Sequence, residues 1–129
     1  MQANGRFEVK LAPQPPAPGL EQANLGRMTI DKQFQGDLEA TSLGEMLSAM
    51  GQVQGSAGYV AIERVTGTLH GKSGSFVLQH RGVMDRGVPE LSVTVVPDSG
   101  TEALSGLSGS MQIRIEEGKH YYSFDYMLS

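Results

Sequence analysis

The chain has 129 residues, of which 39% are hydrophobic, and it carries a formal net charge of −4. This length predicts one compact domain and excludes a two-domain enzyme, since domains commonly need about 100–200 residues each. The chain has 14 acidic against 10 basic residues and no basic cluster, which excludes a positive electrostatic field that would attract polyanions. It has no cysteine, which excludes disulfide bonds and thiolate sites.

The first ten residues give no targeting signal. They include Arg6, Glu8 and Lys10 and lack the apolar core of a signal peptide. No later apolar run approaches the ~20 residues that span a bilayer. We therefore expect a cytoplasmic protein without a membrane or nucleic-acid partner.

A proline-rich segment follows at about residues 12–25. Four of the chain's six prolines lie in it, namely Pro13, Pro15, Pro16 and Pro18. Proline fixes φ and has no N–H to donate, so the segment predicts an extended loop that acts as a linker or as a flap on a barrel.

From residue 26 onward, apolar and polar residues mostly alternate, which is the period of half-buried strands. The first run places Met28, Ile30, Phe34 and Leu38 on one face. The later apolar faces are Phe76, Leu78 and Met84; Leu91, Val93 and Val95; Ile113 and Ile115; and Tyr122, Phe124, Tyr126 and Leu128. With residues 59–69 added, the pattern predicts about seven or eight strands separated by glycine-rich turns.

One segment carries a helical period instead. Between residues 41 and 50, apolar side chains recur at spacings of three and four, which predicts a short amphipathic helix capped by Thr41 or Ser42. A strand with a bulge at Gly44 is the alternative.

So many antiparallel strands on one short chain must hide their edges, either as a closed barrel or as a sandwich. We favour an all-β fold in which residues 1–129 form one closed antiparallel barrel of about eight strands.

Familiar catalytic patterns fail on this chain. The Gly-Lys-Ser run at 71–73 lacks the leading glycine of a phosphate loop, because Thr66 stands in its place. The runs 71–75 and 106–110 end in serine where a nucleophile elbow requires glycine. The three histidines, His70, His80 and His120, lack metal-site spacing, so we predict no metal and no cofactor.

Four ionisable residues lie in phase with apolar strand faces: Lys32, Glu63, His80 and His120. The phase of Glu63 stays open, because residues 59–69 are apolar on both faces. An unpaired charge is unfavourable in a low-dielectric interior, so these side chains should pair with one another or with tyrosine hydroxyls. They form a binding or acid–base site, or a satisfied core network, or they lie at the barrel mouth and reach water.

Several spaced motifs run from about Gly26 to the C-terminus. They are Lys32-x-Phe34-x-Gly36-Asp37-Leu38, Gly55-Ser56-Ala57-Gly58-Tyr59, Gly67-Thr68-Leu69, Gly74-Ser75-Phe76-x-Leu78-x-His80-x-Gly82, Val95-Val96-Pro97-x-Ser99-Gly100-Thr101 and Gly118-Lys119-His120-x-Tyr122. In these motifs the sequence resembles a bacterial family of uncharacterised small proteins. The resemblance implies a barrel similar to that of the plant allene oxide cyclases, which hold a fatty-acid epoxide in the barrel and assemble as trimers. It does not imply their activity, because the catalytic pattern of the cyclases is not matched.

Two functional hypotheses remain, and they leave open whether the protein is an enzyme. In the first, the barrel binds a small, largely apolar molecule, with isomerase or cyclase chemistry as an extension. Its polar contacts would be Lys32, Glu63, His80 and His120, and its walls Tyr59, Tyr122 and Tyr126.

In the second hypothesis the barrel is filled, and the protein is a non-catalytic homo-oligomer. A second apolar set, Val60, Ile62, Val77 and Val83, would lie outside the barrel. Exposed apolar patches commonly mark a partner surface, here most simply another copy of the chain.

Overall fold

A computed structural model describes residues 1–129 and shows one closed antiparallel barrel of eight strands. The strands are β1 Gln2–Pro13, β2 Gly26–Gly36, β3 Leu38–Met50, β4 Ala57–Leu69, β5 Lys72–Asp85, β6 Val88–Val95, β7 Leu107–Glu116 and β8 Lys119–Leu128. Each strand pairs with its neighbour in the chain, and β1 also pairs with β8, which closes the barrel. The predicted all-β barrel is therefore confirmed.

The single helical segment is a three-residue 3-10 turn, Glu102–Leu104, in the loop between β6 and β7. No helix in the structure is long and apolar enough to cross a membrane.

Residues 41–50 form neither a helix nor a bulged strand. They belong to β3, which pairs without interruption with β4 from Leu38↔Leu69 to Met50↔Ala57. The helical spacing combined residues of both faces, since Leu43 and Leu47 are exposed whereas Met46 is half-buried. Ladder hydrogen bonds along both edges of β3 outweigh this weak periodicity.

One end of the barrel is filled by a packed core. Seventeen buried residues form a single apolar cluster, and its rings contact one another, with centroids 5.8 Å apart for Phe76 and Phe124 and 5.4 Å apart for Phe124 and Tyr126. Leu104, from the loop between β6 and β7, joins the cluster and is 1% exposed. We call this the closed end.

The opposite end is open. Its inward-facing positions continue the buried faces of the strands, yet the side chains there are exposed: 48% for Leu11, 43% for Leu91 and 65% for Ile115. Pairing confirms their direction, since Leu11 lies opposite buried Ile30, and Leu91 lies opposite buried Gly82. We call this end the mouth.

The proline-rich loop, residues 14–25, connects β1 and β2 and lies against the outer wall of the barrel. It is fixed by hydrogen bonds from the Gln14 N–H to the Arg27 carbonyl, 2.8 Å, and from Arg27 Nη1 to the Pro15 carbonyl, 3.2 Å. Between the loop and the strands lies a cavity of about 480 Å³. Its apolar lining is Pro16, Ala17, Leu20, Leu25, Leu47, Val60, Ala61 and Ile62.

The second apolar set is divided by the fold. Val60 and Ile62 face outward and are 54% and 51% exposed, and Val83 is half-buried. Val77 is not exposed, because the loop after β6 covers it and Ser99 Oγ accepts its backbone N–H at 3.0 Å. The outer apolar surface is thus smaller than the sequence predicts.

Candidate functional site

Strand register brings Lys32, Glu63 and His80 together inside the barrel. Lys32 of β2 lies opposite Ser42, Glu63 of β4 lies opposite Gly44, and His80 of β5 lies opposite Ala61. Residues that face each other across a ladder point to the same side of the sheet, so all three side chains point inward. They lie between the packed closed end and the mouth.

Glu63 is the centre of the cluster, and it is fully buried. Its Oε2 accepts hydrogen bonds from Lys32 Nζ at 2.8 Å and from His80 Nε2 at 2.5 Å. Its Oε1 accepts one from Ser42 Oγ at 2.6 Å. The carboxylate is therefore paired with one cation and held by donors on both oxygens, which is how a buried charge becomes tolerable.

The charge state of Glu63 follows from these contacts. Burial alone would raise the pKa of Glu63, but the hydrogen bond from His80, the charge of Lys32 and the hydrogen bonds from Lys32 and Ser42 lower the pKa from 4.5 to about 2. Glu63 is thus an anion at neutral pH, and its oxygens can only accept. Nε2 of His80 must then carry a proton and donate it to Glu63.

The other nitrogen of His80 is free. Nδ1 has no hydrogen-bond partner in the protein, and no fully buried side-chain nitrogen or oxygen lacks one, so Nδ1 borders open space. When His80 is neutral, Nδ1 carries a lone pair and can accept a proton or a hydrogen bond. A carboxylate that fixes one nitrogen of a histidine so that the other can act as a base is a familiar catalytic device.

Lys32 rests on two aromatic rings. Its Nζ lies 4.9 Å from the centroid of Phe7 and 5.8 Å from that of Phe34, distances typical of cation–π contacts. Only one of its three N–H donors makes a hydrogen bond within the protein, the one to Glu63. Two N–H donors of this buried cation therefore make no hydrogen bond within the protein.

Two glycines make room for this arrangement. A Cβ at Gly44 would lie 2.1 Å from the Ile62 carbonyl oxygen and 2.8 Å from the Cβ of Glu63. A Cβ at Gly82 would lie 2.1 Å from a ring carbon of Tyr59, so the tyrosine ring lies flat across this glycine at the mouth. Burial and then the charge of Glu63 raise the pKa of Tyr59, which keeps its hydroxyl protonated.

The other predicted site residues lie elsewhere. His120 is half-buried, its ring centroid lies 5.1 Å from that of Phe7, and it makes no hydrogen bond or ion pair with Glu63. Tyr122 lies at the closed end, where its hydroxyl accepts the Leu38 N–H and donates to the Gln35 carbonyl, both at 2.9 Å. Burial is the main reason that the pKa of Tyr122 is raised to about 12.

Tyr126 also lies at the closed end. Its hydroxyl is hydrogen-bonded to Nδ1 of His70, and Nε2 of His70 lies 3.6 Å from Oδ2 of Asp37. Burial and the charge of Asp37 raise the pKa of Tyr126. Of the seven candidates, then, Lys32, Glu63 and His80 meet, Tyr59 lies above them at the mouth, and the remaining three do not join them.

Ser42 and Phe7 are the contacts that sequence reasoning missed. The helical spacing of residues 41–50 predicts Ser42 as a helix cap, and this pattern conceals that Ser42 lies opposite Lys32 on the inward face of the sheet. The site offers one carboxylate and one histidine, and the structure contains no group of three His, Cys, Asp or Glu residues suited to a metal ion.

Comparisons with known proteins agree with this fold. A family model described as a protein of unknown function, DUF3224, matches residues 3–126. The crystal structure of a protein with unknown function from that family, from Shewanella oneidensis MR-1, superposes on this structure with a TM-score of 0.92. The two sequences are 52% identical, and the match covers 100% of this chain and 97% of that chain. No curated protein matches the sequence. The resemblance to uncharacterised bacterial proteins is therefore confirmed, whereas a link to allene oxide cyclases is not shown.

Proposed function

Because the chain belongs to the DUF3224 family, whose description assigns no activity, we propose a function from the site itself: the barrel binds a small, largely apolar molecule that carries one polar head group. The observation that carries this proposal is the buried Lys32–Glu63–His80 cluster beneath an open, apolar mouth. Ionisable groups gathered in an apolar recess are the common signature of a ligand or catalytic site.

The contacts define the head group. Lys32 has unused N–H donors, and Nδ1 of a neutral His80 is an unused acceptor. A hydroxyl both accepts and donates, so it satisfies the two residues at once, whereas an ionised carboxylate accepts from Lys32 and from Nδ1 of His80 when that nitrogen carries a proton. The body of the ligand would contact the exposed apolar residues at the mouth, which include Leu11, Leu91 and Ile115.

The same parts would support proton transfer. Glu63 fixes the tautomer of His80, so that Nδ1 can take a proton from carbon or oxygen, while Lys32 stabilises a developing oxyanion. Tyr59 would supply a second, neutral donor at the mouth. Isomerase or cyclase chemistry on the bound molecule is the extension of the binding function.

Two fluorescent probes test the binding function. We expect 11-(dansylamino)undecanoic acid, which has a carboxyl head, and N-phenyl-1-naphthylamine, which has none, to bind the wild-type protein. His80→Phe should lower the affinity for the acid by about tenfold, equivalent to about 1.4 kcal/mol, and leave the affinity for the amine unchanged. His120→Phe is the matched control and should change neither affinity.

Native mass spectrometry provides an independent measurement. Gently purified protein should carry extra mass that is lost on denaturation and identified as an apolar small molecule. If the purified protein has its bare mass and neither probe binds the wild type, the binding function is wrong.

A second candidate function is homo-oligomer assembly through the outer wall. The observation that favours it is the apolar surface of β3 and β4, where Leu47, Val60 and Ile62 are 43%, 54% and 51% exposed and line the cavity under the proline-rich loop. Exposed apolar area of this kind commonly becomes an interface between copies. Ile62→Asp should reduce the sedimentation coefficient if copies associate here, whereas Thr66→Asp on the same strand should not. An unchanged assembly in both variants would exclude this surface.

A further inference from the structure

The wall of the barrel is incomplete between β6 and β7. Thr94↔Ser110 is the single residue pair that joins these strands, whereas β4 and β5 pair along their whole length. Each strand is nevertheless paired on its other side, β6 with β5 as far as Val88 and β7 with β8 as far as Glu116. The two strands are therefore held as strands but diverge from each other toward the mouth.

This divergence leaves a notch, bounded by residues 88–93 of β6 and residues 111–116 of β7. At about 3.3 Å per residue, each side of the notch is about 17 Å long. Backbone groups that face the notch have no ladder partner there, although pairing all round the wall is the usual way in which a barrel removes its edges. The notch thus follows the strand direction, from the buried residues Val93 and Met111 at its inner end toward the mouth.

The inner rim of the notch is apolar and leads to the site. Leu91 and Ile115 are inward-facing residues that remain 43% and 65% exposed on its two sides. Val93, the next inward-facing residue of β6, is the register partner of His80. The inner end of the notch therefore lies beside His80, the residue with the free Nδ1.

We propose that this notch is the entrance to the site and holds the tail of the ligand, which makes the ligand class an elongated molecule with an alkyl or acyl chain. The inference rests on the proposed function. The head group passes between the strands to reach His80 and Lys32, and the chain remains along Leu91 and Ile115. A compact molecule would leave most of the apolar rim in water.

A reversible crosslink tests the notch. Ser92→Cys with Gln112→Cys places two thiols on outward-facing, exposed positions, next in register beyond Thr94↔Ser110. The chain has no other cysteine. Thr41→Cys with Thr66→Cys is the control, because these exposed residues are paired across β3 and β4, where the wall is complete. Where the first pair does not oxidise, a bis-maleimide joins the same thiols.

The readout is the association rate of 11-(dansylamino)undecanoic acid, measured by stopped-flow fluorescence. Closing the notch should lower the association rate of the probe by about tenfold, and reduction of the disulfide should restore that rate. The control crosslink should leave the association rate unchanged. If the closed protein binds the probe at the wild-type rate, the notch is not the entrance, and the proposed function stands. If the uncrosslinked protein does not bind the acid, the notch proposal fails, and the proposed function fails with it where N-phenyl-1-naphthylamine is also not bound and the purified protein has its bare mass.

Discussion

Glu63→Gln is the substitution with the largest effect expected from the structure. The change removes the negative charge but keeps nearly the same shape, which leaves Lys32 as a buried cation without a partner. Breaking a buried ion pair from one side destabilises by about 3–5 kcal/mol. The pKa gives a similar figure, because a shift from 4.5 to about 2 corresponds to about 3 kcal/mol at about 1.4 kcal/mol per pKa unit.

The pH dependence separates this cause from simple packing damage. Since the pKa of Glu63 is lowered by folding, its contribution to stability is complete above pH 4.5 and is lost as the pH falls toward about 2. Urea unfolding at several pH values should therefore show that wild type and Glu63→Gln differ by about 3 kcal/mol at neutral pH and converge in acid.

Two matched variants complete the experiment. Glu45→Gln removes the partner of Arg27 from an ion pair of the same 2.8 Å length, but this pair is exposed to solvent and should contribute less than about 1 kcal/mol. Lys32→Met combined with Glu63→Met should recover much of the stability that Glu63→Gln loses, because replacing both members of a buried ion pair by apolar residues often leaves the free energy of unfolding unchanged. Equal losses in Glu63→Gln and Glu45→Gln, or a difference that does not change with pH, would refute the reasoning.

Further predictions concern the closed end and the glycine beside the site. Tyr122→Phe should lower the free energy of unfolding, measured in urea, by about 1–3 kcal/mol, because the buried backbone N–H of Leu38 loses its acceptor. The control Tyr121→Phe, at the half-buried neighbouring residue, should change this free energy little. Equal effects of the two substitutions would argue against the hydrogen bond between Leu38 and Tyr122. The pKa of Tyr122 is raised from 10.0 to about 12, so its contribution should persist below pH 10 and fall as the pH rises through 12, and this dependence should be absent from Tyr122→Phe. Gly44→Ala should lower the melting temperature strongly, because the new Cβ would lie 2.1 Å from the Ile62 carbonyl oxygen, whereas Gly58→Ala, with its nearest atom at 3.9 Å, should not; similar melting temperatures would contradict the close approach of β3 and β4.

Alternation along the sequence was enough to place Lys32 and His80 inside the barrel. Lys32 follows a run in which one face is apolar and the other polar, and around His80 the alternation holds at Leu78, Gln79 and Arg81 although Val77 and Val83 interrupt the outer face, so the period of two gives the direction of both. Glu63 was undecided for a physical reason, since its strand carries apolar residues on both faces. Pairing with β3 and β5 decides its face, and Val60 and Ile62 then lie outside.

Phase does not give distance around the barrel or height along it. His120 shares the inward face of β8 with Tyr122 and Tyr126, yet it makes no hydrogen bond or ion pair with Glu63, and the two tyrosines lie at the closed end. Such positions depend on register and strand tilt, which follow from long-range pairing rather than from local pattern. Ser42 was missed because a coincidental helical spacing concealed its strand.

The pairing of β1 with β8 has a consequence for how the chain folds. The other seven pairings join strands that follow each other in the chain and can form as soon as each pair of strands is available, but Gln2↔Asp125 joins residues near the two ends of the sequence. Closing a loop of this length carries an entropy penalty of about 4 kcal/mol by the logarithmic law. The ring should therefore close last, and any species that lacks β8 exposes two free strand edges, on β1 and on β7. Such a species is prone to pair with other chains, so production of this protein should be most vulnerable to aggregation during the interval before its last strand is available.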